Sequence, residues 1–266
     1  MFTTDPYRGN PVAVVLGGDG LSVAEMQRFA RWTNLSETTF VLAPTRPEAD
    51  YRVRIFTPTE ELPFAGHPTL GTCHAWLENG GEPSSDRTVI QECGAGPVSI
   101  RRGEGGLAFA APPLVRSGPV EESLHERIGH MLGVDPAEFV DVAWVDNGPP
   151  WIGVLLSTPE QVLAIRPGVD DLYVGVVAPL PPGCPEALEV RAFFPTDGGV
   201  REDPVTGSLN ASLAQWLIGS GRLEAPYVAR QGTVMGRSGR VHISADDGEI
   251  WVGGGTVTCI AGQVEL

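Results

Sequence analysis

The sequence predicts an α+β protein of two related halves, each a mostly antiparallel sheet with a helix at its centre. The first observation behind this is a phrase written twice: Glu61-Leu62-Pro63-Phe64-Ala65-Gly66-His67 returns in outline as Glu202-Asp203-Pro204-Val205-Thr206-Gly207-Ser208, with Glu, Pro and Gly at one constant offset. The second is that each copy opens a helical pattern: Leu70, Ala75, Trp76 and Leu77 closing at Gly80, then Leu209, Leu213, Trp216, Leu217 and Ile218 closing at Gly221. The third is that strand-type patterns dominate elsewhere and recur in the same order in both halves. Gene duplication explains this more simply than chance.

Taken in order, strands are expected at Val12 to Leu16, Thr39 to Ala43 and Asp50 to Thr57. In the last, Tyr51, Val53 and Ile55 alternate with Arg52 and Arg54, the period of a strand with one wet face. Ser22-Val23-Ala24-Glu25 has capping-box spacing, and Met26, Phe29, Ala30 and Thr33 fall on one helical stripe. After the helix at Gly66, strands follow at Thr88 to Glu92, Pro97 to Arg101 and Leu107 to Ala111. Pro112, Pro113, Gly118 and Pro119 break the pattern and mark the linker, after which Glu122 to Leu132 reads as a surface helix. The second half then predicts strands at Phe139 to Val145, Trp151 to Ser157, Tyr173 to Ala178 and Leu188 to Phe194. The helix after Gly207 follows, with strands near Tyr227 to Arg230, Arg240 to Ala245 and Ile250 to Ile260. The expected domains are 1–114 and 115–256, with a last strand near 257–266 joining the first.

Composition limits the function. With 266 residues, 42% hydrophobic and 19% charged, the chain is ordinary globular protein. A net charge of −15 argues against nucleic acid, since no lysine and arginine stripe is present to meet phosphates. Arg52, Arg54, Arg101 and Arg102 alternate with apolar residues and read as the solvated faces of strands. Cys73, Cys93, Cys184 and Cys259 have neither metal-type nor disulfide-framework spacing, so no metal site is expected and a reducing cytoplasm is the plain reading. No stretch has the apolar length of a membrane span, and the Met1-Phe2-Thr3-Thr4-Asp5 start lacks the features of a signal peptide, so a soluble, unexported protein is expected.

A helix start leaves unpaired backbone N–H groups and a partial positive charge, so tight turns ending in Gly66-His67 and Gly207-Ser208 are anion pockets. Two of them suit one carboxylated substrate, held by local dipoles against a repelling global field. A lone His is more often structural than catalytic, but the place of His67 at such a turn makes it a candidate to donate or accept a proton near a bound acid. Asp203 stands at the matching turn, where the alternative is a plain turn carboxylate. Glu37, in Asn34-Leu35-Ser36-Glu37-Thr38-Thr39-Phe40, joins helix to strand; its residues alone leave open a surface carboxylate or a half-buried base. The glycine runs at Gly103 to Gly106 and Gly253 to Gly255 match no phosphate-loop or dinucleotide fingerprint and read as a loop and a bulge. There is no G-x-S-x-G elbow, and no cysteine lies at the helix-start turns where a paired-thiol racemase holds its acid and base.

Gly9-Asn10-Pro11-Val12-Ala13-Val14, the segment at Glu37, Phe56-Thr57-Pro58 through Gly71, Asn147-Gly148-Pro149 and the segment Glu202 to Ser208 together resemble the phenazine-biosynthesis PhzF-like isomerases, over nearly the whole chain and in the family's order. The resemblance implies a diaminopimelate-epimerase-type fold: two pseudo-symmetric domains, each a curled sheet around a central helix, with the site in the cleft between them. It implies a cofactor-independent proton shift with Glu37, His67 and Asp203 as catalytic residues, and Gly66, Gly207 and Ser208 holding the substrate carboxylate. It also implies a homodimer. Two departures stand out. Val205 and Leu209 replace small alanines, Leu209 being the one expected to narrow the pocket or repack the helix start. Of the usual apolar first strand ending in Asp-Ala-Phe only Phe2 is present, so either that strand is very short or the start is shortened or misassigned. The expected activity is an isomerase acting on a small carboxylated metabolite. The rivals are an amino-acid epimerase on the same fold and a binding or regulatory protein that has lost the reaction.

Overall fold

The capping box read at Ser22 starts the first helix. In a computed structural model describing residues 1–103 and 105–266, Ser22 accepts from the Glu25 N–H while the Glu25 carboxylate accepts from the Ser22 N–H, and helix α1 runs Val23–Thr33. The chain divides into two compact units, Met1–Ala110 with Gly253–Leu266, and Ala111–Val252.

The first unit holds strands β1 (Val12–Val15), β2 (Glu37–Leu42), β3 (Tyr51–Phe56), β4 (Glu61–Leu62), β5 (Thr88–Cys93), β6 (Gly96–Gly103) and β7 (Gly106–Ala110), with helix α2 (Gly66–Glu78). Strand order is β1-β2-β3-β5-β6-β7 with β4 on β3; the pairs β1–β2 and β3–β5 are parallel and the others antiparallel. On β3 the alternation holds: Tyr51, Val53 and Ile55 are buried and Arg52 and Arg54 half-buried. Met26 and Ala30 of α1 pack on Phe40, Leu42 and Phe56. Helix α2 is buried from Gly66 to Cys73, as expected of a helix with little polar surface. Among the described residues no strand precedes β1; Phe2 is fully buried, and Thr3 donates its N–H to the Gly255 carbonyl at 2.9 Å. Residue 104, within the Gly103 to Gly106 run, lies outside the described residues.

The second unit holds β8 (Arg116–Pro119), α3 (Glu122–Leu132), β9 (Asp141–Asp146), β10 (Trp151–Leu155), α4 (Pro159–Ala164), β11 (Tyr173–Pro179), β12 (Leu188–Thr196), β13 (Gly199–Asp203), α5 (Gly207–Gly219), β14 (Tyr227–Gln231), β15 (Gly239–Asp246) and the start of β16 (Glu249–Gly254). The order is β16-β15-β14-β12-β11-β10-β9-β8 with β13 on β12; β10–β11 and β12–β14 are parallel. One face of this sheet packs Ile152, Val154, Val174, Val176 and Phe193 against Ile128 and Met131 of α3 and Val162 of α4. The other face receives α5. A side chain at Gly175 would place its Cβ 2.3 Å from Leu209, and one at Gly153 would stand 2.8 Å from Trp216, so glycine at both positions lets the helix lie close on the strands. Leu209 is thus buried in the space Gly175 leaves, and Val205 is buried too.

The fold is mixed α+β, with five α-helices among the described residues. Two expectations are corrected and one is met. The Pro-rich stretch read as linker carries β8, which pairs with β9, because Pro119 sits at the end of an edge-type strand where it interrupts no ladder. The helix expected at the surface, α3, lies there, exposing Glu122, Glu126, Arg127 and His130 and burying Ile128, Met131 and Leu132 on its other side. The strand expected to reach Ile260 ends at Gly254, and 255–266 form no regular element. Among the described residues no helix is long and apolar enough to cross a membrane.

Candidate active site

Glu37 is the first residue of β2, in register opposite Val12 of β1, and not in the joining loop where the sequence placed it. His67 is the second residue of α2 and is 6% exposed. Its Nε2 lies 3.0 Å from Glu37 Oε2. The approach is off-axis, so no hydrogen bond forms, and both atoms are buried without another partner. On the other side of the ring, Asn10 Nδ2 stands 3.4 Å from His67 Nδ1. An amide nitrogen only donates, so with the amide in this orientation Nδ1 is the acceptor and the ring proton sits on Nε2, facing Glu37. Asn10 is itself fully buried and tied to Met1 by two backbone bonds, the Met1 ammonium to Asn10 O at 2.9 Å and Asn10 N–H to Met1 O at 3.1 Å.

The start of α2 has no side-chain cap and no acid in its first turn. Pro68 has no N–H and Thr69 already bonds to Ala65 O, so Gly66 and His67 supply the open donors of this helix start. Glu37, His67 and Gly66 therefore stand together in the first unit.

In the second unit, Asp203 ends β13, and its Oδ2 accepts from Thr206 Oγ1 at 2.6 Å. The start of α5 is likewise uncapped and free of acids, leaving the N–H groups of Gly207 and Ser208 open. Ser208 Oγ accepts from Trp151 Nε1 at 3.1 Å, which leaves its own hydrogen to donate, and Ser208 O accepts from Asn147 Nδ2 at 2.9 Å. Asn147, in the Asn-Gly-Pro motif, thus serves the helix start directly.

Gln231, fully buried on β14, spends its whole hydrogen-bonding capacity on this turn. Its Nε2 donates to Asp203 O at 3.0 Å and to Thr206 Oγ1 at 2.9 Å; its Oε1 accepts from Thr206 N–H at 3.0 Å and Asn210 Nδ2 at 2.8 Å. The two backbone partners fix which end of the amide is which. Thr206 therefore accepts from Gln231 and donates to Asp203, giving the chain of bonds a single direction. Gln91 of β5 reaches toward α2 in a similar way, donating to Thr69 Oγ1 at 3.0 Å.

The repeated Glu has its own explanation. Arg54 of β3 grips Glu61 of β4 with two bonds of 2.7 and 2.6 Å, and Arg191 of β12 grips Glu202 of β13 with bonds of 3.0 and 2.8 Å. Both pairs brace the short strand that leads into a helix start. Arg191 is 2% exposed and also donates to Val162 O and Ile165 O at the end of α4. Gln231, Trp151 and Arg191 carried no signal in the sequence; Asn10, Asn147 and Thr206 lay in motifs but had no assigned role.

Cys73 is buried, and burial pushes its thiol up to about 12, so it is no thiolate at neutral pH. Among the described residues no group of three or more His, Cys, Asp or Glu side chains is arranged to hold a metal.

A family model described as phenazine biosynthesis-like protein matches residues 1–262. "Antisense-enhancing sequence 1" of Schizosaccharomyces pombe is 35% identical, over 99% of this chain and 96% of its own length. "Trans-2,3-dihydro-3-hydroxyanthranilate isomerase" of Pseudomonas aeruginosa is 36% identical over 92% of this chain and 88% of its own. The crystal structure of a PhzF-family phenazine biosynthesis protein from Enterococcus faecalis superimposes with a TM-score of 0.75 at 27% identity, covering 95% of this chain and 92% of that one. The chain belongs to the phenazine biosynthesis-like family of PhzF isomerases.

Proposed function

We propose that the protein moves a proton on a small carboxylated metabolite by acid/base catalysis, with Glu37 as the base. Glu37 removes a proton from a carbon made acidic by a neighbouring unsaturated or carboxyl group and returns it elsewhere on the same face. His67 and Asp203 orient the substrate's amino or hydroxyl group and assist the transfer. The open helix starts at Gly66-His67 and Gly207-Ser208 take the carboxylate and stabilise the negative charge that develops, the kind of term that dominates such reactions.

The observation that carries this reading is the Glu37–His67 pair: a carboxylate and an imidazole 3.0 Å apart, both atoms buried, neither satisfied, beside an uncapped helix start. A purely structural pair would align and satisfy both atoms, because an unmade buried hydrogen bond is costly. The assignment of the second turn to the same substrate rests on the repeated motif. The matching Arg–Glu braces, and the two glutamines that reach the central helices, support the reading of the halves as related by duplication.

The activity for which the Pseudomonas aeruginosa relative is named supplies the probe. Trans-2,3-dihydro-3-hydroxyanthranilate is incubated with the native protein and with Glu37→Gln, binding is followed by calorimetry and folding by circular dichroism. Turnover by the native protein alone, with binding and fold retained in the variant, is the expected result. Loss of fold in Glu37→Gln makes the residue structural and removes the assignment.

A further inference from the structure

Side chains on the α5 face of the second unit's sheet form a row that the acid/base chemistry leaves unused. Gly153 and Gly175 lie under α5, so on β10 and β11 the residues two positions earlier, Trp151 and Tyr173, share that face just beyond the start of the helix. Ala192 pairs with Gly175, which puts Phe194 on the same face, and Asp203 pairs with Ala192. The three rings touch in sequence: Trp151 meets Tyr173 edge-on at 5.4 Å and 80°, and Tyr173 lies along Phe194 at 6.4 Å and 30°. Trp151 is 3% exposed and tied to Ser208, while Tyr173 and Phe194 are only half-buried. A core would cover such rings. Here they keep open surface beside a serine hydroxyl with a hydrogen to give, two open helix-start N–H groups and the Asp203 carboxylate.

We propose that Tyr173 and Phe194 are specificity residues for a flat, conjugated ring, whose carboxylate sits at Gly207-Ser208 while the ring lies against their faces. The inference rests on the reading of Gly207-Ser208 as a carboxylate site and names the body of the molecule it carries. Offset stacking favours a planar π system over a puckered or open-chain group of equal charge and size. This makes the row a filter against acyclic amino acids, which have the same carboxylate and nothing to lay on the rings.

Two inert probes test it on the full chain: benzoate, flat and conjugated, and cyclohexanecarboxylate, of like charge and size but puckered. Titration calorimetry is run on the native protein and on the Tyr173→Leu/Phe194→Leu variant, with the thermal midpoint measured for each. The expected result is benzoate binding about tenfold tighter than cyclohexanecarboxylate in the native protein, and a ratio near one in the variant at an unchanged midpoint. Equal affinities in the native protein, no benzoate binding at millimolar concentration, or a ratio untouched by the double substitution overturns the proposal. Tyr173→Phe, which keeps the ring, keeps the preference if stacking is its source and loses it if the hydroxyl is. Failure of the proton-transfer reading shows separately, as Glu37→Gln retaining turnover while the benzoate preference persists.

Discussion

Gln231→Glu is a one-atom change with a calculable cost. It replaces the side-chain nitrogen by oxygen at a fully buried position, so the two bonds donated at 3.0 Å to Asp203 O and 2.9 Å to Thr206 Oγ1 disappear together. Each lost bond costs about 1–3 kcal/mol, so a loss of about 2–6 kcal/mol is expected at pH 8. The sign of the pH dependence follows from burial. The new carboxyl is surrounded by an amide, a hydroxyl and backbone groups with Asp203 close by, so its folded-state pKa rises above the unfolded value of about 4.3. A raised acid pKa destabilises the fold as pH climbs from the unfolded value toward the folded one, by about 1.4 kcal/mol per pH unit. The variant is therefore closest to native stability below about pH 4.3, where the protonated carboxyl still donates one bond, and falls behind as pH rises. Urea unfolding followed by tryptophan fluorescence, at several pH values for both proteins, measures this directly. Stability within about 0.5 kcal/mol of native at pH 8, or a pH-independent deficit, refutes the claim that Gln231 holds the second turn through donated bonds.

Gly175→Ala forces a Cβ to within 2.3 Å of buried Leu209 and is expected to cost about 1–3 kcal/mol; adding Leu209→Ala makes room, so the pair should be less than additive by at least about 1 kcal/mol, read from a denaturation double-mutant cycle. At pH 7 a maleimide should label Cys184 and Cys259, which are exposed, and reach Cys73 and Cys93 only after denaturation; rapid labelling of Cys73 in the folded protein, counted by mass spectrometry, contradicts its burial. Burial pushes the Glu92 carboxyl up, but the Thr45 hydroxyl and the Thr45 and Arg46 N–H groups outweigh it and hold the group below the usual range. That stability is present above about pH 4.5 and is lost as pH falls through the lowered folded value, so Glu92→Gln should cost about 1.5–3 kcal/mol at pH 7 in urea titrations and nothing in strong acid.

What was legible from sequence depended on whether the signal was local. The capping box at Ser22 and Glu25, the alternation on β3 and the two helix starts each announce themselves within a few residues. Two-residue β4 and polar β13 do not, because each exists only by pairing with a neighbouring strand, and in isolation Glu61-Leu62 and Arg201-Glu202 read as turn. The short helix α4 carried a readable Thr158–Gln161 capping box but no stripe long enough to identify it. Breaker residues misled at β8, where Gly118 at φ +102° and Pro119 sit inside an edge strand. Among the candidates, Glu37, His67 and Asp203 were picked out through motifs, while Gln231 and Arg191 make their hydrogen bonds across long sequence separations and leave no local trace. Leu209, expected to narrow the pocket or repack the helix start, packs into the space left by Gly175 on a strand distant in sequence, a contact that only the fold reveals.

Everything proposed for the site turns on Glu37 taking a proton from carbon and giving it back. The decisive experiment is the reaction of trans-2,3-dihydro-3-hydroxyanthranilate in D₂O with the native protein and with Glu37→Gln, the product being read by NMR for the position of deuterium. With the native protein the expected product is isomerised and labelled at one new carbon on one face, and with the variant neither isomerisation nor label is expected. Equal turnover and labelling by the Glu37→Gln protein would contradict the assignment.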